Sequence, residues 1–153
     1  MRQSLFILIF ALLAIQCTKK PEKTNKAVIK ADEIIAQINA GKKIFYENKL
    51  IDGALDFTKV KKSYIESRAT VRHEINSPIT FLGCRFNGKI IAATEKTGIK
   101  HWLNFNKNLT FIDCEFDEEL LIKEASVAGI VNFSQSKFRK KMYFEGVHFK
   151  GRA

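Results

Sequence analysis

The chain has 153 residues, 46% hydrophobic and 27% charged, which is ordinary composition for one globular domain and excludes wholesale disorder. Lys and Arg number 26 against 16 Asp and Glu, a formal net charge of +10, so nucleic acid, anionic lipid or another polyanion is admissible as a partner and none is selected. Thirteen Phe against one Trp and three Tyr call for a fold with many equivalent slots for a single ring.

Met1-Arg2-Gln3-Ser4 carries one positive charge, Leu5 to Ile15 is an unbroken apolar run, and Cys17 follows closely. The run is too short to span a bilayer comfortably, so residues 1–16 read as a signal peptide. The stretch LLAIQC resembles a bacterial lipoprotein lipobox, with Gln16 where Gly, Ala or Ser is usual. The resemblance implies that Cys17 is acylated and becomes the mature N-terminus, tethering the body to an outer or periplasmic membrane face of the cell envelope. An ordinary cleaved signal, which would leave the protein secreted, and an uncleaved anchor are the alternatives, and all three place the body outside the cytoplasm. Residues 17–30 are polar and Lys-rich and are expected to form a flexible tether.

The stretch ADEIIAQINAGKK, residues 31–43, predicts a short capping helix with Ile34, Ile35 and Ile38 on one stripe, Asp32 and Glu33 in the first turn and Gly41 at its stop. IFYENKLIDGALDFTKV alternates enough for strands, with Ile51, Leu55 and Phe57 facing inward. Residues 61–78 are polar and poorly periodic and are expected to be irregular.

From Ile79 the chain counts in elevens. ITFLGCRFNGK (79–89) matches LTFIDCEFDEE (109–119), LLIKEASVAGI (120–130), VNFSQSKFRKK (131–141) and MYFEGVHFKGR (142–152). An apolar residue at the third and eighth positions brackets a small or medium one at the sixth: Cys84, Cys114, Ala125, Ser136 and Val147. Spacings of five and six exclude a long amphipathic helix, whose stripe recurs at three and four, and suit short strands joined by tight corners.

Units such as VNFSQ, SKFRK, MYFEG and VHFKG resemble the pentapeptide repeat family in its Phe-rich form, over residues 79–152. The resemblance implies an all-β fold, a right-handed quadrilateral β-helix in which two elevens make one turn, here over residues 44–153. Stacked coils about 4.8 Å apart would pile the rings into columns. Phe81, Phe111 and Phe133 fall in one, Phe86, Phe116 and Phe138 in a second, and Phe144 and Phe149 stack on Ile122 and Val127. Residues 90–108 are then a half-coil with an insertion between Thr94 and Trp102, expected as a protruding loop.

The same register sets Glu115 beside Arg85 and Lys137, Asp117 beside Arg139, Glu118 beside Lys140 and Glu119 beside Lys89 and Lys141. Paired in this way, the cations make nucleic acid a poor partner, since a nucleic-acid site wants unpaired cations interleaved with exposed aromatics. Cys84 and Cys114 share a slot in adjacent coils, either as small buried thiols or as a disulfide. No nucleophile motif, catalytic carboxylate pair, phosphate cradle or metal spacing accompanies His73, His101 and His148, so no catalytic residue, cofactor or metal is expected. His101 and Trp102 on the insertion, and an outward apolar strip of Ile91, Leu121 and Tyr143, are the candidate interaction residues.

The expected function is that of a non-catalytic, envelope-tethered module that binds a protein or serves structurally. The alternative is binding of a polyanion or anionic membrane through the basic N-terminal region. An enzyme built on the 94–102 loop is a third and weaker reading, and inhibition of a DNA topoisomerase, known among pentapeptide repeat proteins, is disfavoured by the basic charge. The final coil carries no helix like that near residue 32, which predicts an end-to-end homodimer or a docked partner at Phe133, Phe138, Phe144 and Phe149.

Overall fold

The computed structural model describes residues 26–151, so the signal segment, Cys17 and most of the tether lie outside the described residues. The described residues are mostly β, in sheets built mainly by parallel pairing, with one α-helix. Strand β1 (Ala27–Lys30) and helix α1 (Ala31–Asn39) come first. Four coils follow, each visiting the same four sheets in turn. The first holds β2 (Ile44–Glu47), β3 (Lys49–Asp52), β4 (Leu55–Asp56), β5 (Ser63–Ser67) and β6 (Thr70–Ile75). The second holds β7 (Ile79–Leu82), β8 (Arg85–Phe86), β9 (Ile90–Ile91), β10 (Thr94–Lys96) and β11 (Ile99–Phe105). The third holds β12 (Leu109–Ile112), β13 (Glu115–Phe116), β14 (Leu120–Leu121) and β15 (Ser126–Val127), and the fourth β16 (Val131–Asn132), β17 (Lys137–Phe138), β18 (Met142–Tyr143) and β19 (His148–Phe149). The sheets run β2-β7-β12-β16, β1-β3-β8-β13-β17, β4-β9-β14-β18 and β5-β6-β11-β15-β19.

Pairing of Ile44 with Ile79, Ile79 with Leu109 and Leu109 with Val131 offsets successive coils by 35, 30 and 22 residues. The last offset is two elevens, and the register read from the sequence is the register observed: Phe81 pairs with Phe111, Phe86 with Phe116 and Phe116 with Phe138. Alternation puts every second side chain inside. Phe81, Phe111 and Phe133 then stack at 5.3 and 5.1 Å, with Tyr46 extending the column at 5.9 Å. Phe86, Phe116 and Phe138 stack at 5.0 and 4.7 Å, and the two columns meet edge to face. Ile51, Leu55 and Phe57 are fully buried beneath them.

A strand that turns a tight corner needs one residue outside the usual backbone regions, and here the exception recurs in register. Asn48 (φ 52°), Gly83 (φ 57°), Asp113 (φ 52°) and Gln135 (φ 59°) are left-handed at the same corner of the four coils, a conformation that Gly, Asn and Asp tolerate best. Beside that corner lies the small-residue slot. Cys84 Sγ donates to the Tyr46 carbonyl at 3.5 Å, Cys114 Sγ to that of Phe81 at 3.5 Å and Ser136 Oγ to that of Phe111 at 3.0 Å, in each case one coil back. A small donor thus fills the slot in three of the four coils, and Lys49 stands there in the first. Cys84 and Cys114 are free thiols.

Three expectations need correction. The tether was expected to reach residue 30, but Ala27–Lys30 pair in parallel with Lys49–Asp52, because their backbone groups complete the edge of β3. The helix stops at Asn39 rather than at 43: Gly41 is left-handed at φ 70°, and Gly41 and Lys42 return their N–H groups to Ile38 and Gln37 in a Schellman closure. Phe149, expected in the core, is 41% exposed, since no further coil among the described residues covers it. At the other end α1 lays Ile34, Ile35 and Ile38 over the first coil, a burial that contributes about 1.5–3 kcal/mol per side chain.

Candidate functional site

The two long coils place their extra residues at one corner. Asp56 pairs with Ile91 and Ile91 with Leu121, and the regular register resumes at Glu74, Asn104 and Ser126, so both insertions fall between the third and fourth sheets. Residues 61–78, expected to be irregular, contain β5 and β6, which pair antiparallel with a bulge near Glu66. The expected loop is an ordered hairpin: β10 pairs antiparallel with β11, turning through Thr97 (φ 50°) and Gly98 (φ 75°). Two consecutive positive φ values make a turn whose twist suits a two-residue hairpin. Strands β6 and β11 pair in parallel over six residues, from Lys100 with Thr70 to Phe105 with Ile75. The result is a four-stranded wing, β5-β6-β11-β10, carried by the regular stack.

Direct pairing of Tyr64 with Arg72 and of Arg72 with Trp102 lines these side chains on the outer face of the wing. The Arg72 guanidinium lies 4.8 Å from the Trp102 ring centre and Lys100 Nζ 5.8 Å from it. Arg72 Nε also donates to both Glu66 carboxylate oxygens at 2.9 Å, which fixes the guanidinium plane, and Asn104 Nδ2 donates to the Tyr64 hydroxyl at 3.3 Å. Beside Trp102 a cleft of about 250 Å³ opens between the hairpin and the next coil, bounded by Glu95, Lys100, Lys123 and Glu124.

On the opposite face His73 is buried. Its Nδ1 lies 2.7 Å from the Val60 carbonyl and its Nε2 3.0 Å from His101 Nδ1. Burial, then the His73 and Lys96 charges, push the His101 imidazole below its ordinary value, and Asp56 opposes them. His101 and Trp102, adjacent in sequence, thus sit on opposite faces of one strand. Sequence reasoning missed Tyr64, Arg72 and the role of His73. The signal was there in TVRHEI, where Val71, His73 and Ile75 alternate with Arg72 and Glu74.

The apolar strip occurs as expected in register, with Ile91, Leu121 and Tyr143 stacked and half-buried, but Asp56 begins it and Lys123 Nζ lies 5.0 Å over the Tyr143 ring. On the second sheet Arg85 and Arg139 reach Asp117 at 2.8 and 3.0 Å, Lys137 and Arg139 reach Glu115 at 3.8 and 3.4 Å, and Lys89 reaches Glu119 at 2.8 Å. The Lys89 hydrogen bond holds the Glu119 carboxyl below its ordinary range. Among the described residues no ion pair joins Glu118 to Lys140 or Glu119 to Lys141. Burial raises the Cys84 thiol and pushes Cys114 up to about 12, so neither is a ready nucleophile. Among the described residues no three His, Cys, Asp or Glu gather as a metal site, and no helix is long and apolar enough to cross a membrane. No protein-family model, curated protein or solved structure matches this chain.

Proposed function

We propose that this chain is a lipid-tethered, non-catalytic module of the cell envelope, a right-handed quadrilateral β-helix of the pentapeptide repeat type that binds a protein partner through its wing. The observation that carries the reading is the gathering of both insertions at one corner, where they present Tyr64, Arg72, Trp102 and Lys100 on one ordered face. Aromatic and Arg side chains are the residues that most often anchor protein interfaces. Parallel pairing of successive coils in four sheets and the 22-residue offset support the repeat type. The signal run and LLAIQC support the tether, with acylation at Cys17.

Photo-crosslinking in the intact envelope tests this. A crosslinker replacing Lys100 should give one discrete protein adduct that Trp102→Ala abolishes, whereas a crosslinker replacing Thr110, on another sheet, should give none. Equal adducts from both positions, or none from Lys100, overturn the wing as the interface. Cys17→Ser should release the folded body from the membrane fraction, and retention after a salt wash would overturn the tether.

A second reading, attraction to an anionic membrane surface, is favoured by Lys42, Lys43 and Lys61. They are exposed near the helix-covered end, where the described chain begins, and have no ion-pair partner among the described residues. Retention on anionic liposomes that disappears at high salt would support it, and absence of retention at low salt would remove it.

A further inference from the structure

The outer edge of the wing is explained neither by the stack nor by the aromatic face. All five residues of β5 (Ser63–Ser67) are exposed, Ile65 at 79% and Tyr64 at 45%, and among the described residues only β6 pairs with the strand. Ser63 stands opposite His73, which sets Lys62 opposite Glu74, and the Lys62 carbonyl accepts the Glu74 N–H. The ladder bonds to β6 therefore fall at Lys62 and Tyr64, and alternation turns the N–H and C=O groups of Ser63 and Ile65 the other way, into solvent. The bulge begins beyond Ile65 and leaves Ser63, Tyr64 and Ile65 in straight register. A row of free backbone groups beside an exposed Ile is a template for one more strand.

From this edge we propose that β5 pairs with β5 of a second copy of this chain, antiparallel about a two-fold axis at Tyr64. The axis follows from the backbone. The outward groups sit on Ser63 and Ile65, so Ser63 meets Ile65 of the partner subunit, and each such pair exchanges both of its hydrogen bonds. That register sets Lys62 opposite Glu66 of the partner subunit, and Glu66 opposite the partner's Lys62. Neighbouring registers lose the match: an axis at Ile65 sets Lys62 against Arg68 of the partner subunit, and an axis at Ser63 needs the Lys61 N–H, which is already given to Asn39 Oδ1 at 2.7 Å. Charge extends the complementarity on both sides. Lys62 holds Glu74 at 3.3 Å and Arg72 holds Glu66 at 2.9 Å, so acidic and basic side chains alternate across the joined edge. A Lys on an edge strand ordinarily keeps strands apart, and in this register a Glu of the same strand in the second copy matches it. The contact is isologous and closes on itself as a dimer. A two-fold axis perpendicular to the sheet leaves both wings facing the same way, so the Arg72 and Trp102 faces lie side by side as two copies of one surface. The pairing stands whether or not that surface binds a protein. The edge is short, so association depends on concentration.

Tyr64 directly opposes its own copy in a non-hydrogen-bonded pair, where Cα atoms are about 4.5 Å apart and a disulfide can form. Ser63 and Ile65 are each offset along the strand from their own copies, beyond the roughly 7 Å that a disulfide spans. The full chain carrying Tyr64→Cys is oxidised mildly in intact cells and resolved without reductant, with the parent chain as the blank for its own thiols. The expected result is a reductant-sensitive band at twice the chain mass, cross-linked at position 64 of both copies by mass spectrometry. Ser63→Cys and Ile65→Cys should each trap at least fivefold less. Adding Ile65→Pro to Tyr64→Cys deletes one outward N–H and no bond of the wing, and should remove the band, with circular dichroism checking the fold; Ser63→Pro does the same at the other outward N–H. In sedimentation of the detergent-solubilised chain, mass should rise with concentration for the parent and stay at the monomer for either Pro variant. No trapping at position 64, equal trapping at 63, 64 and 65, or association unchanged by both Pro variants overturns the pairing.

Discussion

The two coils from residue 109 onward and the two before it share the same sheets but treat their outer surface differently. The later coils repeat at 22 residues, turn every corner tightly and pair several of their charged side chains with neighbours one coil away. The earlier coils repeat at 35 and 30 and put the excess into a single corner. A stack whose coils must keep inward columns aligned can lengthen only where a strand leaves the ladder and returns in register. Once one coil does so, its neighbour has an unpaired edge to satisfy, and an insertion at the same corner meets that need: β6 and β11 satisfy each other. Regularity therefore holds the molecule together, and the departure from it supplies a surface.

The sharpest way to break this contrast is through the ring columns. Phe111→Ala and Phe116→Ala should each lower stability by about 3–5 kcal/mol in urea denaturation, since each ring is stacked on both sides. Removing Thr94–His101, which brings the second coil back to the regular 22-residue length, should cost less than either truncation and leave the far-ultraviolet β signal intact. If it costs more, the wing is part of the stack's stability and the division drawn above fails.

The thiol slot gives a smaller effect. Cys114→Ser should be close to neutral, because Ser136 already fills the equivalent place, whereas Cys114→Ala should lose about 1 kcal/mol with its hydrogen bond. The folded Cys114 thiol keeps its proton up to about 12, above an ordinary value of 9.0. The unfolded chain ionises first, so this contribution is complete below pH 9 and is lost as pH rises from 9 toward 12. Denaturation midpoints of the parent chain should fall over that window more steeply than those of Cys114→Ser. Arg139→Glu should also have a small effect, about 0.2–1 kcal/mol per pair broken and less in high salt, because the side chain is 59% exposed. A loss as large as that of Phe111→Ala would mean that the charge ladder, and not the core, sets the register.

What the sequence determined by itself was everything governed by the local period. Phenylalanines five and six apart define inward columns, small residues at the sixth position define the corner slot, and a 22-residue offset names neighbours such as Glu115 and Lys137 before any coordinates exist. The tertiary structure decided what depends on two distant segments meeting. Residues 63–75 look irregular because their partner, β11, lies some thirty residues on and outside the eleven-residue count. Which cation takes which carboxylate followed from side-chain reach across coils, so Arg139 finds both Glu115 and Asp117. His73 and His101 were two isolated histidines in sequence, and only parallel pairing of their strands brings their nitrogens to 3.0 Å. Periodic burial is a local rule that each coil repeats. Pairing between insertions is a non-local one whose entropy the regular stack has already met by holding the strand ends in place.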